Sequence, residues 1–374
     1  MEKMNILVTG CAGFIGSHLV DALVERGHRV RIFDSLVEQV HGSSAPPHLN
    51  KEAEFIHADV CDSGAIASAL DGIDVVYHQA AEVGVGQSMY EIVRYVKAND
   101  LGTAVLLEEM IKRPSQFKKL IVASSMSIYG EGAYRCNACG IDIYPQLRSD
   151  EQLAAHDWEF KCETCGSLLE TKGTPEEKPL FPTSVYAVSK QDQEQYCLAV
   201  GRAYKIPTVA FRYFNVYGTR QALSNPYTGV CAIFSSRLLN DQAPTIFEDG
   251  EQSRDFVHVS DIVQANLLAI ETDKADYHAM NIGTGRATSV KQIAQLLAAG
   301  LGKNIDPVIV GKYREGDIRH CVADISTARE LLGYEPKVTL EAGLAELLEW
   351  LGEQDAEDRV ESATAELAER RLVK

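Results

Sequence analysis

Short apolar runs alternate with segments of helical periodicity along the first two thirds of the chain. Asn5 to Thr9 is an apolar strand, and a helical pattern runs from Ser17 to Arg26, with Gly27 closing it as a C′ glycine. Arg29 to Phe33, Glu54 to Ile56, Asp74 to Tyr77 and Leu120 to Ala123 repeat the strand pattern. A long helix is predicted over 91–112, and Pro207 opens a further strand from Thr208 to Phe214. Strand and helix in alternation predict an α/β fold with a doubly wound parallel sheet and ligands at the carboxyl ends of its strands.

The first strand runs into Gly10-Cys11-Ala12-Gly13-Phe14-Ile15-Gly16 at the start of a helix. Free N–H groups at a helix N-terminus suit a pyrophosphate, and the context of strand, glycine turn and helix makes a dinucleotide site credible. The spacing is GxxGxxG, so the GxGxxG fingerprint is not met as written. Asp34 ends the next strand, where an acid binds the ribose hydroxyls of NAD and repels the 2′-phosphate of NADP. Asp59 and Val60 are expected at the adenine side. Ala80 and Ala81, after His78-Gln79, leave room for a cofactor to approach the backbone. A tight turn without ligand is the competing reading of the glycines.

Tyr186 and Lys190 are four residues apart, hence on one face of a helix. An ammonium beside a phenol favours the phenolate, so Tyr186 is expected to take a proton from a sugar hydroxyl. Ser125, after its apolar run, is expected to hold the same substrate oxygen, with Ser124 beside it. By itself a Tyr and a Lys at this spacing is weak evidence.

Two CxxCG knuckles, Cys136-Asn137-Ala138-Cys139-Gly140 and Cys162-Glu163-Thr164-Cys165-Gly166, are separated by 22 residues. Four thiolates at this spacing predict a tetrahedral structural Zn2+ site held by Cys136, Cys139, Cys162 and Cys165. Between Tyr134 and Glu170 there are three basic and seven acidic residues, a net −4 that is the wrong sign for a nucleic-acid-binding ribbon. The insert is expected to be a rigid flap near the site mouth or an oligomer contact.

Composition narrows the class further. The chain has 374 residues, 36 basic and 53 acidic, for a formal charge of −17, which disfavours nucleic acid and anionic membranes as partners. No apolar run approaches the ~20 residues of a membrane span. Strand-forming sequence follows the first residues at once, leaving no space for a signal peptide. The other five cysteines are scattered, so a reduced, cytoplasmic protein is expected.

Taken together, Thr9 to Gly16, Asn99-Asp100-Leu101-Gly102-Thr103, Ser124-Ser125, Tyr186 with Lys190, Arg212 to Gly218 and Arg254 to Asp261 resemble the extended short-chain dehydrogenase/reductase family, within it the sugar-nucleotide epimerases and dehydratases. The resemblance covers roughly residues 4–350, interrupted by the insert. It implies a Rossmann-like domain over 1–214 containing a zinc ribbon at 134–170, a smaller sugar-nucleotide lobe over 215–350, and a tail at 351–374 expected to be a solvated helix. It also implies catalytic Ser125, Tyr186 and Lys190, with Lys190 holding the nicotinamide ribose. Asn99 would support the tyrosine helix, and Asn215, Arg254 and Arg314 would bind the substrate diphosphate. A surface ion pair is the competing reading of Arg314, and His258 reads as a packed histidine beside Asp261. Tightly held NAD, a nucleotide-diphospho-sugar substrate and a homodimer through the helices of Asn99 and Tyr186 follow from the same resemblance.

Dehydratases of that family carry an acid two positions before the tyrosine that Tyr129 matches. Ser127 and Met126 stand there instead, which favours a 4-epimerase. The stretch Leu223 to Leu239 is similar to that of 4-epimerases of dTDP-L-rhamnose; UDP-glucose and UDP-glucuronate remain alternatives within the class. A 4,6-dehydratase, or a non-catalytic NAD sensor with a zinc interaction module, are the readings from outside it.

Overall fold

The computed structural model describes residues 2–42, 44–354 and 356–374. Its centre is a seven-stranded sheet in the order Ala279–Ile282, Thr208–Tyr213, Lys119–Ser125, Val75–His78, Asn5–Thr9, Arg29–Asp34, Glu54–His57, with every neighbour parallel. The central strands Asn5–Thr9, Val75–His78, Lys119–Ser125 and Thr208–Tyr213 are buried almost throughout because helices cover both faces of the sheet, whereas the edge strand Glu54–His57 is largely exposed. Leu19, Val20 and Leu23 of helix Phe14–Glu25 pack with Ile262 and Val263 of helix Val259–Ala269 in one core layer. Ile66, Leu106, Leu107 and Cys197, from helices Ser63–Ala69, Gly102–Ile111 and Val185–Tyr204, fill the other. The arrangement is the Rossmann-like, doubly wound fold that the alternation predicts.

The structure differs from the expected organisation in four places. The large sheet does not end at residue 214: Ala279–Ile282 pairs with Thr208–Tyr213 as its outer strand. The chain thus leaves for the second lobe and returns, because that edge of the sheet needs a strand to satisfy its backbone groups. The insert, expected inside the first domain, is stitched instead into the second lobe. Its strands Ala133–Cys136, Ile141–Ile143 and Glu170–Thr174 form one six-stranded sheet with His320–Ala323, Ser253–Arg254 and Thr288–Ser289.

The third difference is the tail. Helix Val360–Glu369 is not solvated all round. Val360, Ala363 and Leu367 lie at helical spacing on one face and, with Thr364 and Leu372, wall the large cavity described below. Beyond the helix, Val373 and Arg314 form a single antiparallel bridge, and Lys374 pairs with Asp150 and Glu315. The predicted helix over 91–112 is also interrupted: residues Val96–Leu101 form a π-turn between Ile92–Tyr95 and Gly102–Ile111.

Candidate active site and thiol cluster

A cavity of about 920 Å³ opens over the carboxyl ends of the parallel strands and extends between the two lobes. On the sheet side, Gly10, Gly13, Phe14, Ile15 and Gly16 form its floor, with Asp34, Asp59, Val60, Ala80 and Ala81 around them. Gly10 has φ +68°, and a Cβ there would come within 2.5 Å of Ala80 Cα, so only glycine lets the two loops approach. Gly13 caps helix Phe14–Glu25 without any side-chain hydrogen bond, which leaves the first-turn N–H groups for a ligand. Asp34 accepts from the N–H of Ala12 and of Leu36, both at 2.8 Å, and so ties the acid to the glycine turn. This cradle, closed to any Cβ at Gly10 and open at the helix end, fits a dinucleotide.

Ser124, Ser125, Tyr186 and Lys190 line the same cavity. Lys119–Ser125 brings the two serines to its strand end, and helix Val185–Tyr204, N-capped by Ser184, carries Tyr186 and Lys190 one turn apart. Burial pushes the Tyr186 phenol above its ordinary value, and the hydrogen bond from Ser125 draws it down. The expected effect of Lys190 is not among the causes. Burial instead takes Lys190 itself down to about 7, and its ammonium donates to Gln193 Oε1 at 2.8 Å. The low dielectric that would strengthen a Tyr–Lys interaction first disfavours the lysine's own charge.

The expected site residue that does not reach the cavity is Asn99. It is fully buried behind the wall, where Nδ2 donates to Ser189 Oγ at 2.8 Å and to the Glu82 carbonyl, while Oδ1 accepts from Glu82 N–H. The π-turn turns Asn99 inward onto the tyrosine helix. A second buried layer escaped the sequence reading. His78 bonds Thr9 Oγ1 at 2.8 Å and Thr103 Oγ1 at 2.9 Å, and Gln193 reaches both His78 and Thr103. Burial, with the Lys190 charge, takes His78 down to about 3, so the ring is neutral. Below Ser124, Glu194 accepts its hydroxyl at 2.7 Å and is gripped by Arg212 through two bonds. Glu194 and Gln193 follow Lys190 at helical spacing, which was the available signal.

On the other lobe, Asn215, Arg254 and Arg314 face the cavity. The side-chain oxygen of Asn215 is buried and has no hydrogen-bond partner among the described residues. Arg254 donates to the carbonyls of Ser253, Arg319 and Ile318, and both arginines share Asp317, at 3.3 Å from Arg254 and 2.8 Å from Arg314. Arg314 also lies 4.9 Å over the Phe247 ring. His258 is buried and bonds Ser260, away from this wall.

The four insert cysteines bring their sulfurs within 4.8 Å of one another. Cys136 and Cys165 are 3.5 Å apart, Cys139 and Cys162 3.9 Å, where a tetrahedral ion about 2.3 Å from each sulfur requires roughly 3.8 Å. Gly140 and Gly166 have φ of +70° and +74°, and each donates its N–H at 2.8 Å to the first cysteine's carbonyl in its knuckle. Four soft donors in two tight knuckles fit a thiophilic ion. No helix among the described residues is long and apolar enough to cross a membrane.

The sequence profile of the NAD dependent epimerase/dehydratase family matches residues 6–145 and 162–283. A dTDP-L-rhamnose 4-epimerase of Burkholderia thailandensis is 36% identical over 357 residues, covering 95% of this chain and 96% of its own. A putative UDP-glucose 4-epimerase of Methanocaldococcus jannaschii is 34% identical over 348 residues, 92% of this chain and 98% of its own. Among solved structures, the UDP-glucose 4-epimerase of Thermotoga maritima with UDP-glucose superposes with a TM-score of 0.75 at 36% identity, over 93% of this chain and 99% of the other. The UDP-glucuronic acid 4-epimerase of Bacillus cereus, in complex with UDP-glucuronic acid and NAD, gives 0.77 at 30% identity over 93% and 99%.

Proposed function

The chain belongs to the NAD dependent epimerase/dehydratase family, and from that premise we propose that it is an isomerase inverting C4 of a nucleotide-diphospho-sugar through a 4-keto sugar. The observation that carries the reading is that Ser125, Tyr186 and Lys190 share one cavity with the glycine cradle and with Asn215, Arg254 and Arg314.

The cradle and Asp34 would hold NAD, which when bound supplies a reversible hydride acceptor for sugar C4. Tyr186, as phenolate, removes the proton of the 4-hydroxyl, and Ser125 holds that oxygen. Lys190 would hold the nicotinamide ribose; burial draws its own pKa down to about 7, so it places a positive charge beside the phenolate only while it is protonated. Asn215, Arg254 and Arg314 grip the diphosphate, as guanidinium geometry suits. The 4-keto sugar turns over, and Tyr186 returns the proton once the other face is reduced. A dehydratase needs an acid near Ser127. The Ser127 hydroxyl bonds Ser125 there at 3.0 Å, and no carboxylate stands in its place.

Within the class we favour a dTDP-6-deoxyhexose of the rhamnose type. The preference rests on the 36% identity to a dTDP-L-rhamnose 4-epimerase over 95% of the chain, and the apolar tail residues Val360, Ala363 and Leu367 that line the cavity are compatible with a 6-deoxy sugar. Proton NMR of dTDP-rhamnose, UDP-glucose and UDP-glucuronate incubated with the protein and no added NAD tests the reading. A new anomeric signal at unchanged mass is expected with the first. Loss of water would mean a dehydratase, and no turnover of any sugar by protein that retains NAD would favour a sensor.

The four-cysteine cluster is assigned a structural Zn2+, consistent with its sulfur spacing, and elemental analysis should give one zinc per chain. We further assign a homodimer: Val93 is 80% exposed, and Val96, Val188 and Tyr196 join it on the helices of Asn99 and Tyr186. Light scattering should give twice the chain mass, and a monomer would refute it. We assign a reducing cytoplasm, because the five cysteines outside the knuckles are scattered along the chain rather than spaced as a disulfide framework.

A further inference from the structure

An ion-pair network, buried at Arg148, Glu248 and Arg319 and partly exposed at Glu159 and Asp249, joins the cysteine-bearing insert to the arginines of the substrate wall. Arg148 lies between the two knuckles and donates from Nη1 and Nη2 to the two Glu248 oxygens, at 2.9 and 2.7 Å. Both side chains are at most 2% exposed. The same Nη2 donates to the Asp317 carbonyl at 3.3 Å. Glu159, also in the insert, accepts from Arg319 Nε at 2.9 Å and faces His320 Nε2 at 3.3 Å. Arg319 is 1% exposed and reaches Glu248 and Asp249 as well. The insert therefore grips the segment 317–320 through side chains from one side.

Arg254 and Arg314 lean on that same segment from the cavity side. Arg254 donates to the carbonyls of Ile318 and Arg319 at 2.7 and 3.0 Å, and both guanidiniums bond the Asp317 carboxylate. Glu248 follows Phe247, the ring beneath Arg314. A bidentate guanidinium–carboxylate pair fixes orientation as well as distance, and a buried one cannot exchange its partners for water.

We propose that Arg148 and Glu159 are positioning residues. Through the segment 317–320 they hold Arg254 and Arg314 in register for the substrate diphosphate, so that the insert is a buttress of the nucleotide-sugar site. This rests on the reading of that wall given above.

Calorimetric binding of dTDP and UDP to the NAD-loaded protein tests it, with bound NAD and thermal stability measured on the same samples. Arg148→Lys and Glu159→Gln should keep NAD yet bind the diphosphates about tenfold more weakly. Their KM for the nucleotide sugar should rise by a similar factor, with kcat within about twofold. Arg148→Met should be worse than Arg148→Lys. Where Arg148→Met fails to fold, the other two variants carry the test. Lower melting temperatures with unchanged diphosphate affinity and KM would overturn the proposal and leave the network a brace for folding. Wild-type protein that binds neither diphosphate would overturn both this proposal and the reading of the wall.

Discussion

The Lys190 ammonium donates to Gln193 Oε1 at 2.8 Å, and among the described residues Gln193 is its sole hydrogen-bond partner. Lys190 is buried, and its pKa falls from 10.5 to about 7. Between pH 7 and 10.5 the unfolded chain therefore binds more protons than the folded one, and this group makes the cofactor-free protein more stable as pH rises. The gain is about 1.4 kcal/mol per pH unit, fully absent below about pH 7 where both states are protonated. Urea unfolding of wild type and Lys190→Met from about pH 7 to 9 should show that slope in their difference; parallel curves would refute it.

Tyr186 works as a base only when deprotonated, and the Ser125 hydrogen bond is what draws its pKa down. Ser125→Ala should move the acid limb of the pH–rate profile to higher pH and slow the reaction about 10- to 100-fold. Tyr186→Phe should retain NAD and lose most activity, by roughly 10²–10⁴. An active Tyr186→Phe protein would remove the tyrosine from the mechanism.

Gly10→Ala places a Cβ 2.5 Å from Ala80 Cα at a φ of +68°. The backbone alone costs about 1–2 kcal/mol, and the contact forces the two loops apart. The purified variant should carry little NAD and melt lower. Full cofactor content by absorbance after denaturation would contradict the cradle.

Cys136→Ser/Cys162→Ser should lose metal. Around those sulfurs Tyr134, Phe160 and Leu169 supply a small apolar cluster, too little to hold the knuckles without an ion. Proteolysis should then cut between residues 137 and 169 while the large sheet stays folded. Metal-free protein with an intact, protease-resistant insert would contradict this.

Deleting residues 353–374 should leave the core, since Leu351 is the last fully buried residue of the second lobe's apolar cluster. It removes Leu367, whose Cδ2 lies so close over Gly86 that a Cβ there would come within 3.2 Å, and the Glu366 bonds to Tyr90 and Tyr227, opening that wall of the cavity. The KM for the nucleotide sugar should rise about tenfold, roughly 1.4 kcal/mol, with NAD content unchanged. An unchanged KM would return the tail to the solvent.

Local pattern was enough for the parallel sheet, the glycine cradle with Asp34, the pairing of Tyr186 with Lys190 on one helix face, and the two knuckles. Each is a matter of period or spacing within a few dozen residues, where side-chain direction follows from backbone geometry. Tertiary structure alone decided the rest. Ala279–Ile282 joins the large sheet because an edge far upstream in sequence needs a partner, which no local pattern encodes. Burial, a property of the packed whole, turns Lys190 toward neutrality and toward Gln193. Leu367 meets Gly86, and Arg148 meets Glu248, only after the chain has closed on itself. Such long-range pairs determine who faces the cavity, and the free energy of desolvation that sets their strength does not exist until the neighbours are in place.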